Sequence, residues 1–342
     1  MQPDKLKDLS RWLIIGSIIF FLLYTGRTMF VPVCFALLIA FLLYPVCRWL
    51  ESKGFGRSLA IATGLLAVTL ILGSVVYLLI SQFAAFSESW SGISVKLDKT
   101  LNDLSVMLTD TFGISKEGQN EWLKKALNEV ISAAGSTLLG SGASLAIALI
   151  IPVYTALFLY HRRMLVGVLL DQFRAGQRSQ VVGILHKVIQ TYYNFIKGMI
   201  VVYLCVGLLN SLGLLLLDIP QAFLFGFVAS ILTFIPYVGI MIASLLPISV
   251  AWVTKDSLWY PMGVVIVFAV VQYLEANLIF PLAVSSRLKI NTLVTLLVMF
   301  AGGILWGAAG MILFIPFIAI GKLIADEVNP HGTWARVLGN GE

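Results

Sequence analysis

The sequence predicts an all-α polytopic membrane protein. It has about eight membrane segments, two of them broken or re-entrant, and a small extracytoplasmic helical insertion. Three observations carry that expectation. Hydrophobic residues make up 59% of the 342 residues and charged residues 12%, against roughly 45–50% and 25% in ordinary soluble domains. Several apolar runs approach the ~20 residues a spanning helix needs, and they are continuous rather than alternating, which favours helices over a barrel. The net charge of +6 is explained by Lys and Arg held on one side of the membrane, so no nucleic-acid partner is implied.

The three cysteines, Cys34, Cys47 and Cys205, lie in apolar runs and offer no disulfide or zinc framework. His161, His186 and His331 sit in or beside basic or terminal loops, so neither a metal nor another cofactor is expected.

Residues 1–82 form the first group of spans. The first run follows Lys5, Lys7 and Arg11 without a small-x-small cleavage site and reads as an uncleaved span. Trp12 to Val46 is two passes with a turn around Gly26-Arg27-Thr28, and Pro32 and Pro45 are expected near helix ends, where proline is tolerated. Arg48, Lys53 and Arg57 against Glu51 place the next loop inside, and Ser58 to Ile80 returns outward.

Residues 83–142 change character, with seven acidic residues and five lysines. Ile93, Leu97, Leu101, Leu104 and Leu108 recur at helical spacing, and so do Trp122, Ala126, Leu127, Val130 and Ile131. The stretch is too polar to span and forms the extracytoplasmic insertion.

Residues 143–198 hold an inward span with a kink expected at Pro152. A basic stretch follows, in which Arg162, Arg163, Arg174, Arg178, Lys187 and Lys197 face a lone Asp171. Val181, Leu185, Val188, Tyr192 and Ile196 form one stripe, which predicts a helix lying at the membrane surface.

Residues 199–325 read as the transport core, and 326–342 as a cytoplasmic tail. Met199–Leu217 is a span, and Ala222–Val253 is broken at Ile235-Pro-Tyr-Val-Gly239. Met262–Ile279 is a span ending at Pro281. Leu293–Ile320 is broken around Gly302-Gly303 and Trp306-Gly307. Each half of a broken segment is roughly 13–16 residues, about 20–24 Å as helix, short of the ~30 Å hydrocarbon core. Two re-entrant hairpins of opposite orientation would produce this order; kinked full spans or short tilted pairs would too. Interrupted segments at corresponding places in two halves point to a site at mid-membrane.

Glu275 is the sharpest site candidate. A charge at mid-depth costs at least about 3 kcal/mol, so it must face protein or a wet cavity. It either exchanges a proton or sodium ion or is a structural carboxyl bonded to Gln272, one turn earlier. Asn277 is offset about 200° from Glu275 and joins it only if Pro281 or an unwound turn rotates the segment; otherwise it ties helices together. Asn210 and Ser211 either complete the site or bond across helices. Pro236, Gly239 and Gly302 fit the backbone breaks, where freed carbonyls can meet a cation or solute. Gly303 and Gly307 fit close packing better. Asn291 and Thr295 sit at the mouth of the second broken segment, where they meet solute or Asn291 caps a helix.

Three motifs together resemble the autoinducer-2 exporter family, the PerM-type permeases. They are Ile235-Pro-Tyr-Val-Gly239 with Pro247, Gln272-Tyr-Leu-Glu-Ala-Asn277 with Pro281, and Gly303-x-x-Trp306-Gly307-x-x-Gly310-Met311 with Pro316. The resemblance implies about eight membrane segments in a bacterial inner membrane and a homo-oligomer. It implies export of a small polar signalling molecule, or sodium(lithium)/proton antiport. Thr292, Ile240 and Lys197 depart from the family pattern, and none of them removes the carboxylate. No P-loop is present, so a gradient would drive transport. An oligomeric channel is the competing class. No H-E-x-x-H or G-x-S-G motif points to an enzyme. The expected partners are membrane lipid, a small polar solute, and sodium or protons; both termini are expected on the cytoplasmic side.

Overall fold

The computed structural model describes residues 3–78, 80–81, 84, 142–233, 238–255, 257–284, 290–329 and 332–339. The predicted 83–142 insertion lies almost wholly outside these residues, as does Pro236. The described elements are helical in order: α1 (Pro3–Thr25), α2 (Arg27–Ser52), α3 (Arg57–Leu78), α4 (Gly142–Tyr160), α5 (Arg162–Asp171) and α6 (Ala175–Leu216). They continue with α7 (Ala222–Leu232), α8 (Val238–Thr254), α9 (Trp259–Val284), α10 (Thr292–Trp306), α11 (Ala308–Val328) and α12 (Thr333–Leu338). No strand occurs among the described residues, and the fold is all-α. Helices α2, α3, α6, α9 and α11 are each long and apolar enough to cross a membrane, six spans if the bent pair α4–α5 counts as one. The expected eight segments are reached only by counting shorter apolar helices such as Ile14–Thr25, Ala222–Leu232 and Leu293–Trp306.

The chain divides into two compact units. The first comprises residues 1–67, 146–196 and 286–342. Gly26 separates α1 from α2, as the sequence indicates, but Pro32 and Pro45 lie inside α2 rather than at its ends. Pro32 is fully buried. Small residues let the helices approach: Ala36 is fully buried, and the Thr155 hydroxyl of α4 donates to the Ala36 carbonyl (3.3 Å) and to Ile151 (2.8 Å). Between α2 and α3 the buried Cys47 thiol donates weakly to the Ala60 carbonyl (3.6 Å), opposite Gly64. Leu38, Tyr192 and Leu313 form the core beside Phe41, whose ring meets Tyr192 edge-on at 6.4 Å.

The basic stretch differs from expectation. The change of direction falls at His161, beyond Pro152, where α5 turns 63° from α4. Val181–Ile196 is not a separate surface helix. It is the first half of the 42-residue α6, about 63 Å of continuous helix and twice the hydrocarbon thickness. Met164 and Val168 of α5 are exposed.

The second unit comprises residues 68–145 and 197–285. Its core gathers Leu214 of α6, Phe225 of α7, Val250 of α8 and Val264 and Phe268 of α9. Close seams again use small residues. A side chain at Gly226 would meet the Ser211 backbone nitrogen at 2.6 Å and the Gly207 carbonyl at 2.8 Å, and one at Gly198 would meet the Ala283 backbone. The turn from α6 to α7 holds Asp218 and Gln221 with left-handed φ of 51° and 52°, and Lys255 closes on Asp218 at 2.6 Å.

Candidate functional site

Glu275 stands where α9 stops being an α-helix. From Glu275 to Ile279 the helix widens by one residue into a π turn, and Phe280 N–H donates to the Glu275 carbonyl. Pro281 accounts for this. Its ring would clash with the carbonyl four residues back, that of Asn277, and it has no N–H to donate there; a wider turn relieves both problems without ending the helix.

Glu275 is buried, 8% exposed. It lies on the α9 face where Val271 packs with Val202 and Val206 of α6, flanked by Val267 and Ile279. Gln272, one turn earlier, hydrogen-bonds to it. That contact leaves the Glu275 Oε2 and Gln272 Oε1 atoms buried without a partner. Both are acceptors with free lone pairs, so the pair can accept a donor group or a cation, and the carboxylate a proton. Tyr203 of α6 lies close enough to feel the charge of Glu275; an apolar run hid it in the sequence. Its spacing of seven residues from Asn210, two helical turns, would have placed both on one stripe.

The structure sorts the other candidates. Asn277 is exposed and donates to the Tyr273 carbonyl (2.9 Å), so the π turn does not bring it to the Glu275 face. Asn210 is fully buried, with both amide atoms unpartnered. Ser211 is also fully buried, but its hydroxyl bonds back to Gly207 (2.7 Å) within α6 instead of across helices. Gly239 is buried at the start of α8, where a side chain would overlap the Leu232 carbonyl at the end of α7.

Three candidates belong to the first unit. Asn291 caps α10, its side chain accepting the Leu293 N–H at 3.0 Å, and the Thr295 hydroxyl donates to the Asn291 carbonyl at 3.2 Å. Gly302 is not at the break. It is helical, and a side chain there would meet the Gly310 carbonyl at 2.6 Å, so it is a packing glycine. The break falls at Gly307, with φ 62° and open space around it; this backbone conformation suits glycine. The second half of this pair is longer than expected too: α11 has 21 residues and can span alone.

Also in the first unit, Arg162 donates to both Glu51 carboxylate oxygens (2.6 and 2.8 Å) and stacks on Tyr44. Arg57 donates to the Leu159 carbonyl (3.0 Å), satisfying an acceptor at the end of α4. No group of three His, Cys, Asp or Glu placed to hold a metal occurs among the described residues.

Comparison with known proteins agrees with the resemblance. Residues 13–329 match the family described as AI-2E family transporter. The chain is 24% identical over 312 residues to "Putative transport protein YrrI" of Bacillus subtilis, covering 87% of this chain and 86% of that protein. It is 27% identical over 311 residues to the similarly named YueF of the same organism, covering 86% and 83%. With YhhT of Escherichia coli it shares 21% identity over 342 residues, 99% of this chain and 97% of its relative.

Proposed function

The chain belongs to the AI-2E transporter family, and from that premise we propose a secondary transporter that carries a small polar solute past Glu275, driven by a proton or sodium gradient. It is an integral membrane protein and a membrane transporter, which favours a carrier over an enzyme. The observation that carries the finer reading is the Glu275–Gln272 pair, two buried acceptor oxygens left without partners at a widened turn of a spanning helix. Ionisable groups inside membranes mark ion and substrate routes, and π turns recur at functional sites.

The solute class is polar and autoinducer-2-like, the direction outward, and the protein a homo-oligomer of the bacterial inner membrane with both termini cytoplasmic. Residues 199–325 are its transport core. Arg48, Lys53, Arg57 and Arg163 on the proposed inner side support the orientation. Sodium(lithium)/proton antiport is the second reading, favoured because the two unpartnered atoms are both acceptor oxygens while the carboxyl is ionised, as a cation requires.

The test is flux into proteoliposomes under imposed proton and sodium gradients, with candidate solutes on one side. Glu275→Gln abolishes gradient-driven flux and its pH dependence. It leaves thermal stability unchanged or raised by about 1 kcal/mol, because a buried charge without full compensation is removed. A folded Gln variant that transports like the parent at every pH would overturn the assignment.

A further inference from the structure

A cavity of about 710 Å³ lies within the first unit, bounded by α2, α4, α5 and the start of α6. That is within the size range of small-molecule sites, yet no part of the transport reading uses it. Its wall is apolar, with Leu37, Phe41, Phe158, Leu170 and Leu185 among the lining residues. The floor at Leu159 is buried, whereas Leu165 and Leu169 on α5 are exposed, so it is a groove with an open side. The groove exists because α5 turns 63° away from α4 and roofs the space between the spans.

Its polar lining is one-sided in charge. Arg48, Arg162, Arg163 and His186 line it with a single acid, Glu51, and that acid is already engaged by Arg162. Arg162 spends Nη2 on Glu51 and keeps Nη1 buried without a partner. Arg48 and Arg163 are exposed, and neither pairs with an acid among the described residues. An apolar trough ending in excess guanidinium groups complements a molecule with a hydrocarbon tail and an anionic oxygen head. Basic pockets between membrane helices bind acidic lipid headgroups on this principle, and guanidinium groups pair with phosphate in fork geometry.

We propose that this groove holds one anionic phospholipid per chain, its acyl chain along the apolar wall and its phosphate at Arg48, Arg162 and Arg163. The lipid would hold α5 at the membrane surface, and it stands independently of what passes Glu275.

The test uses the full chain purified in neutral detergent and titrated with phosphatidylglycerol or phosphatidylcholine of identical tails. Bound mass is read by native mass spectrometry and stabilisation by thermal unfolding. One phosphatidylglycerol is expected to bind about thirtyfold more tightly than phosphatidylcholine, from two arginines near the headgroup. Arg48→Gln with Arg163→Gln removes that preference. Gly167→Phe, placed on a lining residue with open space around it, excludes both lipids. Equal retention of the two lipids, or a preference that survives in the double arginine variant, overturns the proposal. So does displacement of the lipid by inorganic phosphate, which marks a free-anion site. A concentration-dependent dimer abolished by Gly167→Phe also overturns it, since a second copy would then fill the groove. Should Gly167→Phe not fold, the two surface arginines decide alone.

Discussion

The two interrupted helix pairs carry the same signature in sequence and are built differently. Helices α7 and α8 have 11 and 17 residues, about 17 and 26 Å, so neither reaches across the ~30 Å core. Helices α10 and α11 have 15 and 21, and the second is a span by itself. The first pair is cinched where Gly239 abuts the Leu232 carbonyl; the second is zipped higher up, where Gly302 and Gly310 touch backbone to backbone. In the second the turn glycine, Gly307, has a left-handed φ of 62°. Glycine and proline in an apolar run therefore announce an interruption without saying whether both arms stay short. In the first pair both described arms are shorter than a span, whereas in the second, one arm is a span by itself.

Substitutions at these glycines test the contrast through thermal unfolding in detergent. The largest loss is expected from Gly239→Ala, about 3 kcal/mol or more, because the obstacle is a backbone carbonyl that no rotamer change can move. Gly310→Ala follows at about 2 kcal/mol, since α10 and α11 can part slightly to admit a methyl group. If Gly239→Ala melts like the parent, the tight closure of the first pair is wrong. Gly307→Ala costs about 1–2 kcal/mol for a different reason: its surroundings are open and only its φ of 62° penalises a side chain. The entries to the pairs differ as well. Asn291→Ala removes the cap of α10 and costs about 1 kcal/mol.

The smallest effect belongs to the turn before α7. The hydrogen bond and charge of Lys255 hold the Asp218 carboxyl below its usual value. Its contribution is present above the unfolded carboxyl value of about 3.9 and fades as pH falls through the lower folded one. Parent and Asp218→Asn proteins should thus differ slightly near about pH 6 and converge only once the pH falls below the lowered folded value. A constant gap across that window would show that the left-handed turn, not the ion pair, is responsible.

Much of this was legible beforehand. Uninterrupted apolar runs announced the spans, Gly26 the first turn, and Gln272 three residues before Glu275 their hydrogen bond. The 42-residue α6 was not legible. Lys197-Gly198 looks like a helix end, yet Gly198 is needed for close approach to the Ala283 backbone, and one glycine serves either purpose equally well. The same ambiguity exchanged Gly302 and Gly307. The groove under α5 depends on contacts between distant segments, which no local pattern encodes.

The sulfur shut between α2 and α3 can serve as a clock. Cys47 is fully enclosed, whereas Cys34 and Cys205 are only half so. A membrane-permeant alkylating reagent should therefore mark the two accessible thiols first and wait at the third until those helices separate. The lag reports how often this part of the protein breathes, in the native chain and without any engineered label.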